Sequence, residues 1–455
     1  MFSKLCLPDA QLANLKSLGY ERMTPIQAQA LPLALEGMDL IGQARTGSGK
    51  TAAFGIPLLH KLEVEDPGTQ SLVVCPTREL SIQVSNEIRR LARYRTNVRV
   101  VTLYGGQAIA LQKAALKQGA HVVVGTPGRI KDHLSRETLA LDAIRTLVLD
   151  EADRMLEMGF MDDIIDIVAA TPKTRQTLLF SATFPENILS LSARFQRDPA
   201  RVDAEAQPGH ADIEQTLCAC GAMGKQEALV SLLSRSNPRS ALVFCNTKAV
   251  AKDVFAGLHA QGFSVAALHG DLEQRDREKI LMQFKHQGCR VLVATDVAAR
   301  GLDIEELSAV INFEPPHDPE AYIHRIGRTG RAGKPGRAFT LFTPGERRKI
   351  DSLREALGSD IPIETIESMA GPAGRPLVAD KVTFCIAAGR KDKIRAGDVL
   401  GALTGEHGIE GKAVGKIDVM DYDTYVTVDR KSAKTAFARL SGHKIKGQKY
   451  KVRAL

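Results

Sequence analysis

Leu147-Val148-Leu149-Asp150-Glu151-Ala152-Asp153 sets the architecture of this 455-residue chain. Three apolar residues in a row suit a short strand buried on both faces, and acids follow at its end. The carboxyl ends of strands in an open α/β sheet form the ligand crevice, so these acids fall where a site belongs. Upstream lies Ala44-Arg45-Thr46-Gly47-Ser48-Gly49-Lys50-Thr51. Its glycines let backbone N–H groups approach phosphate, Lys50 reaches the outer phosphates, and Thr51 can hold magnesium. A strand-end carboxylate such as Asp150 completes such a metal site. Taken singly, the acids are equally a helix start favoured by the helix dipole, and the loop has Ala44 where the general pattern has glycine. Together, in this order, they point to a nucleoside triphosphatase.

Apolar residues make up 44% of the chain and charged ones 25%, the balance of a soluble globular protein of several domains. No run reaches the length of a membrane-spanning helix, and the first residues lack an apolar export core. The seven cysteines form neither a disulfide framework nor a paired zinc spacing, and Cys218-Ala-Cys220 reads as structural. These features predict a cytoplasmic protein that uses no membrane. The net charge of +8 is localised: residues 373–455 hold 17 Lys and Arg against 9 Asp and Glu, which accounts for all of it. A basic module on a neutral engine suggests an anionic polymer as partner, with a merely solvated charged surface as the plainer reading.

In chain order, Thr24-Pro25 is a good helix start, with a capping hydroxyl ahead of proline. Nearby, Tyr20 offers an aromatic face and Gln27 a donor–acceptor amide, tools suited to an adenine edge. A core tyrosine and a surface glutamine are the alternative. A helix is predicted from Lys50 to about Leu62, and strands over 71–75, 98–103, 121–124 and 177–180. The strands end in short polar loops: Pro76-Thr77-Arg78-Glu79, Gly105-Gly106, Thr126-Pro127-Gly128-Arg129 and Ser181-Ala182-Thr183. Such loops can hold a sugar–phosphate backbone through N–H groups and guanidinium donors. Around 203–215 the pattern breaks at a linker. It then resumes with strands near 241–244, 265–268, 291–294 and 310–313, but without a second lysine loop. Tyr322-Ile323-His324-Arg325-Ile326-Gly327-Arg328-Thr329-Gly330-Arg331 is rich in arginines that can neutralise charge on a transferred phosphoryl. Strand–helix alternation throughout predicts parallel sheets, and catalysis is expected to depend on domain closure.

These residues, in this order, resemble the DEAD-box family of RNA helicases, in which Ala44 is the usual residue. The match runs from Gly19-Tyr20 and Gln27 through Asp150-Glu151-Ala152-Asp153 and Ser181 to Thr183. It continues through Val243 to Thr247, His269-Gly270-Asp271, Ala294 to Asp303, and His324 to Arg331. The resemblance implies an ATP-dependent RNA helicase with tandem RecA-like domains, 1–207 and 208–370. It implies ATP and Mg2+ bound by Tyr20, Gln27, Ala44, Thr46, Gly47, Ser48, Gly49, Lys50, Thr51 and Asp303, with Thr51 and Asp150 toward the metal. Lys50, Asp150, Glu151, Arg328 and Arg331 are the implied catalytic set, and Ser181, Thr183 and His324 the implied coupling set. RNA backbone contacts are implied for Pro76, Thr77, Arg78, Gly105, Gly106, Thr126, Pro127, Gly128 and Arg129. Thr247, Gly270 and Thr295 are implied opposite them. Such gripping is blind to sequence, and the 2′-hydroxyl selects RNA. In this family, closure on ATP bends one strand and releases the other.

After a Gly/Pro-rich linker over 369–381, strands and helices are predicted as βαββαβ. The strands are 382–387, 416–421, 424–429 and 448–453, and the helices 396–403 and 432–440. This is the order of an RRM-like domain, placed at 376–455. The stacking signature of such sheets is missing, since Asp421-Tyr422-Asp423-Thr424-Tyr425 stands where a base and aromatics belong. Basic residues gather instead at Arg390, Lys391, Lys393 and Arg395, and at Lys444, Lys446, Lys449, Lys451 and Arg453. RNA contact is expected at Lys391, Lys393, Arg395, Lys444 and Lys446. This tail resembles the DbpA subfamily, which implies large-subunit (23S) ribosomal RNA as partner, ribosome assembly as setting, and no obligate protein partner. A general RNA chaperone and an RNA-clamping scaffold with little turnover are the alternatives.

Overall fold

The computed structural model describes residues 1–44, 47–181, 186–203, 213–299, 307–330, 335–368, 375–406 and 408–455. Three sheets organise them. The first has strands β1 (Leu40–Gln43), β2 (Ser71–Val74), β3 (Val100–Leu103), β4 (Val122–Gly125), β5 (Thr146–Asp150), β6 (Gln176–Ser181) and β7 (Ala200–Asp203). Their order is β3-β4-β2-β5-β6-β1-β7, and every pair is parallel. The stretch Leu147-Val148-Leu149 of β5 explains why. Val148 packs into the cluster on one face with Val73, Leu178 and Phe180, while Leu147 and Leu149 pack into the other with Leu72, Val74 and Leu179. Each such side chain contributes about 1.5–3 kcal/mol by burial, and only crossover connections can cover both faces.

The second sheet repeats this with β8 (Ile213–Ala219), β9 (Ala241–Cys245), β10 (Val265–Leu268), β11 (Val291–Thr295), β12 (Ala309–Asn312), β13 (Gly336–Phe342) and β14 (Ile363–Thr365). The order is β10-β11-β9-β12-β13-β8-β14, again parallel. The chain divides into two compact units, and the second sheet shares its unit with the C-terminal domain. The expected linker over 203–215 is too long at both ends. Asp203 closes the edge strand β7 and Ile213 opens β8, because the polar residues flanking Val202 and the Glu214, Gln215 and Thr216 ahead of Leu217 hide the strand period.

The C-terminal sheet has β15 (Lys381–Ile386), β16 (Val414–Val419), β17 (Thr424–Asp429) and β18 (Val452–Ala454), in the antiparallel order β16-β17-β15-β18. Helices Ala396–Thr404 and Ala433–Gly442 complete the βαββαβ sequence. The last strand starts four residues later than expected, since Ile445 and Gln448 form an isolated bridge within the preceding turn. Phe384, Ile386, Val426 and Val428 face the helices. On the opposite face Thr383, Cys385, Tyr425 and Thr427 are also buried. There His286 bonds the Thr427 hydroxyl through Nδ1 at 2.9 Å and Asp418 through Nε2 at 2.8 Å. The His286 bond, helped by Lys416, holds the Asp418 carboxyl down at about 2. The expected linker is also pinned: Ser264 N–H donates to Leu377 O, and Leu377 sinks into the core of the preceding domain. The sheet face that an RNA-stacking domain would expose is therefore covered by the chain itself.

Gly125, at the end of β4, illustrates how tightly the first sheet is built. A Cβ there would lie 2.5 Å from the Leu103 carbonyl and 3.0 Å from Ile130 Cγ1. Gly125→Ala is expected to cost about 1–3 kcal/mol of stability, seen as an earlier first transition in urea unfolding. An unchanged transition would contradict this packing.

Candidate active site

Helix Pro25–Leu35 begins with a capping box at Thr24. Gln27 Oε1 accepts the Thr24 N–H at 3.0 Å, and Nε2 donates to the Gly49 carbonyl at 3.1 Å. Gln27 thus lies under the phosphate loop, 1% exposed, with one amide proton left over. Gly47 and Gly49 have φ of 85° and 92°, a region that suits glycine, and a Cβ on Gly49 would strike the Gln27 amide. Tyr20 stands against Phe2 edge to face, and its hydroxyl donates to Glu87 at 2.7 Å.

Lys50 opens helix Lys50–His60, followed by Thr51, while β5 delivers Asp150 beside it. Lys50 Nζ and Asp150 Oδ1 are 3.9 Å apart at 6% and 3% side-chain exposure. Neither atom has a hydrogen-bond partner among the described residues, nor does the buried Ser48 hydroxyl. Three orphaned polar atoms in one place are costly in a folded core, and they form a donor–acceptor set for a magnesium–phosphate ligand. Burial pushes the Asp150 carboxyl up to about 6, Lys50 pulls it down, and Glu151 adds to the rise. Glu151 is buried and adopts a left-handed backbone at φ 54°, an arrangement an L-residue holds only when its surroundings force it. That strain was not legible in the sequence. Ser181 ties the parts together: its carbonyl accepts the Ala44 N–H at 3.0 Å, and its hydroxyl accepts the Asp153 N–H at 3.2 Å.

The strand-end loops of this unit split into two kinds. The Arg78 guanidinium lies over the turn at Gly105 and Gly106, where a Cβ on Gly105 would sit 3.3 Å from Nη2. Thr77 caps helix Arg78–Leu91 by accepting the Leu80 N–H, and Thr126 with Pro127 and Gly128 begins helix Pro127–Ser135. Arg129 turns inward, donating to the Gln107 carbonyl at 3.2 Å and Gln112 Oε1 at 3.0 Å. Pro76 is buried beside Cys75 at the end of β2.

In the second unit, Arg325 is the arginine that the fold consumes. Fully buried, it forms two bonds to Asp296 at 2.7 and 2.6 Å and reaches Asn246, Asn312 and the Glu314 carbonyl. It also lies 5.2 Å from the Phe244 ring centroid. One guanidinium thereby joins the carboxyl ends of β9, β11 and β12. Arg328 is also buried, His324 half-buried, and both have partners. Thr295 ends β11, Thr247 caps helix Lys248–Ala260, and a Cβ at Gly270 would meet nothing within 4 Å. His269, part of the family motif but given no role there, is buried, its Nδ1 lacks a partner among the described residues, and burial lowers its pKa. In the C-terminal domain Lys391 lies 4.2 Å from the ring centroid of the exposed Tyr422, and Lys446 Nζ donates to the Lys393 carbonyl at 2.7 Å. Asp398 accepts the Arg395 N–H, and Lys444 is exposed. Of the expected site residues, Thr46, Thr183, Asp303 and Arg331 lie outside the described residues.

The chain matches the DEAD/DEAH box helicase family over residues 24–191 and the helicase conserved C-terminal domain over 224–333. It matches the DbpA RNA binding domain over 383–454. ATP-dependent RNA helicase DbpA of Escherichia coli is 49% identical over 449 residues, 99% of this chain and 98% of that protein. The chain belongs to the DEAD-box family of RNA helicases. ATP-dependent RNA helicase CshA of Limosilactobacillus reuteri is 47% identical over 76% of this chain and 69% of its own length. Among solved structures, S. cerevisiae Dbp5 bound to RNA and ADP BeF3 has a TM-score of 0.72 at 28% identity. That match covers 80% of this chain and 96% of the Dbp5 chain. A DEAD box protein from Methanococcus jannaschii is 42% identical with a TM-score of 0.50, covering 80% of this chain and 98% of the other. No described helix of this DEAD-box chain is long and apolar enough to cross a membrane.

Removing Arg325 takes its partner from the half-buried Asp296 carboxylate and from the buried Asn312 amide oxygen, and leaves a cavity where the fully buried side chain packed. Arg325→Ala is expected to lower stability by about 3–5 kcal/mol in denaturant unfolding. A loss below 1 kcal/mol would show that the hub is dispensable.

Proposed function

We propose that this chain couples RNA-stimulated ATP hydrolysis to local remodelling of RNA duplexes, directed by its C-terminal domain to large-subunit ribosomal RNA during ribosome assembly. The observation that carries the ATPase part is the buried set of Lys50 Nζ, Asp150 Oδ1 and Ser48 Oγ without protein partners. In this reading Lys50 and the N–H groups of Gly47 to Thr51 bind the phosphates, and Gln27 turns its spare amide proton to adenine beside Tyr20. Thr51 and Asp150 would hold magnesium, which supplies charge neutralisation at the outer phosphates. Glu151 positions and deprotonates the attacking water. Arg328 and Arg331 offset charge developing on the phosphoryl, an effect worth roughly 10³–10⁵ in rate. Ser181, joined both to the phosphate loop and to the acidic stretch, is well placed to report nucleotide state toward Thr183.

RNA gripping is assigned to the Arg78, Gly105–Gly106 and 126–129 loops of the first unit and to Thr247, Gly270 and Thr295 of the second. The ribosomal reading rests on the full-length likeness to DbpA, since the CshA relative matches only 76% of the chain. The covered sheet face supports recognition by the basic loops at Lys391 to Arg395 and Lys444 to Lys446, through phosphates and shape. Seven free cysteines, six of them buried, fit a reducing cytoplasm.

Glu151→Gln is expected to lower RNA-stimulated ATP turnover by at least a hundredfold while ATP-dependent RNA binding persists, and full turnover would remove the water-activating assignment. The targeting test is steady-state ATPase at limiting RNA, with 23S ribosomal RNA against poly(A). The intact chain is compared with one ending near Met369. Preference for ribosomal RNA that disappears on truncation is the expected result. Equal stimulation by both RNAs leaves a general helicase with a non-specific basic tether.

A further inference from the structure

Beside the buried contact of His286, helix Gln274–Lys285 and the outer edge of the C-terminal sheet enclose a cavity of about 220 Å³. Arg275 and Lys279 line it from the helix, Lys451 and Arg453 from the sheet edge, with Cys385 and Ala387 between them. One carboxylate, Asp423, borders it. Its charge is matched by Arg275, 3.3 Å away, and it also accepts from the Cys385 thiol at 3.8 Å. Lys279 is matched by Asp276 at 2.7 Å. Lys451 and Arg453 have no ion pair or side-chain hydrogen bond among the described residues. Burial and Asp423 push the Cys385 thiol up to about 11, so it stays neutral and adds no negative charge near neutral pH. Asp276 also acts on Arg453 through space, so the four cations face two carboxylates, Asp423 and Asp276, and the concave site keeps a net charge of +2 over the neutral Cys385 and Ala387.

We propose that this cavity binds a phosphodiester group of RNA, at a seam built jointly by the second helicase domain and the C-terminal domain. The seam needs both domains: neither Arg275 and Lys279 nor Lys451 and Arg453 alone make a concave cationic wall. It rests on the reading of the chain as an RNA helicase but not on its preference for ribosomal RNA. The ligand chemistry is a phosphate oxyanion held by guanidinium and ammonium donors. A polymer fits better than a small ligand because two of the lining cations, Lys451 and Arg453, lie at β18, the strand that follows the basic turn of Lys444, Lys446 and Lys449. A strand held on that turn can continue into the seam.

The test is equilibrium binding of the full chain to a ribosomal RNA hairpin, the same hairpin with a single-stranded extension, and oligo(A), each over a range of KCl. Removing two phosphate contacts lowers the slope of log K against log salt by about 1.4 and affinity near 0.1 M salt roughly tenfold or more. This loss is expected for Lys451→Gln with Arg453→Gln on the extended hairpin and on oligo(A), and not for Lys431→Gln with Lys434→Gln, two exposed lysines elsewhere in the domain. Ala387→Phe keeps every charge but plugs the cavity, and is expected to weaken the same two RNAs with hairpin binding retained. Equal losses in the 451/453 and 431/434 variants, or no loss with Ala387→Phe, would leave only a diffuse basic field and overturn the site. Pyrophosphate binding that Ala387→Phe removes, with all RNA slopes unchanged, would make it a small-anion site and overturn the RNA assignment. A wild type that binds the hairpin no better than oligo(A) removes the ribosomal targeting and leaves this assignment standing on the oligo(A) result.

Discussion

Strands buried on both faces leave polar groups nowhere to go but their ends. Leu147, Val148 and Leu149 are each nearly inaccessible, and the chain turns charged at Asp150, where the sheet stops. Parallel pairing then aligns all the carboxyl ends along one edge. Gln43, Val74, Asp150 and Ser181 finish their strands on that edge, so residues distant in sequence become neighbours without any dedicated scaffold. The Lys50–Asp150 pair is a consequence. Two charges at 3.9 Å with unsatisfied atoms stabilise the fold little, because their desolvation offsets the attraction. Such a pair belongs to a site adapted to a charged ligand rather than to a stabilising core.

The second sheet uses the same constraint differently. Its strand ends are closed by Arg325, whose guanidinium meets a carboxylate, two amides and a carbonyl. In a sequence, four arginines between 325 and 337 are interchangeable candidates for a phosphate ligand. Hydrogen bonding sets Arg325 apart, since a guanidinium with all its donors used has none for a substrate. Among the described residues, Arg129 in the first unit is hydrogen-bonded through one nitrogen only, Nη1, which serves Gln107 and Gln112. Thr77, Thr126 and Thr247 each stand at a helix start, and the hydroxyls of Thr77 and Thr247 serve the local fold first as caps.

The C-terminal domain shows how a face can change use. The βαββαβ order was readable from period and turn residues, and so was the lack of a stacking signature. The reason for that lack was not readable. Thr383, Cys385, Tyr425 and Thr427 alternate along their strands as an exposed polar face would, yet His286 and its neighbours bury them. Close approach at Gly288, where a Cβ would collide with the Thr383 hydroxyl, fixes the two surfaces together. The residues released from RNA stacking are those that carry the domain contact, and the cations are displaced to loops and to the sheet edge.

The sequence by itself determined the parallel α/β core, the phosphate loop, the acidic strand end, the order of the family's motifs and the basic tail. All of these depend on short-range chemistry: period, turn residues, and the glycines a phosphate demands. Element ends were less legible, as at β8 and β18, because polar residues open β8 and the edge strand β18 lacks the apolar run that marks a buried one. Tertiary structure alone decided which arginine is spent on the fold, that Glu151 is held in a left-handed turn, that Gln27 supports the phosphate loop, and which face of the last sheet is covered. Each of these is a matter of pairing between segments far apart in the chain, and pairing is set by burial and geometry that no local pattern encodes.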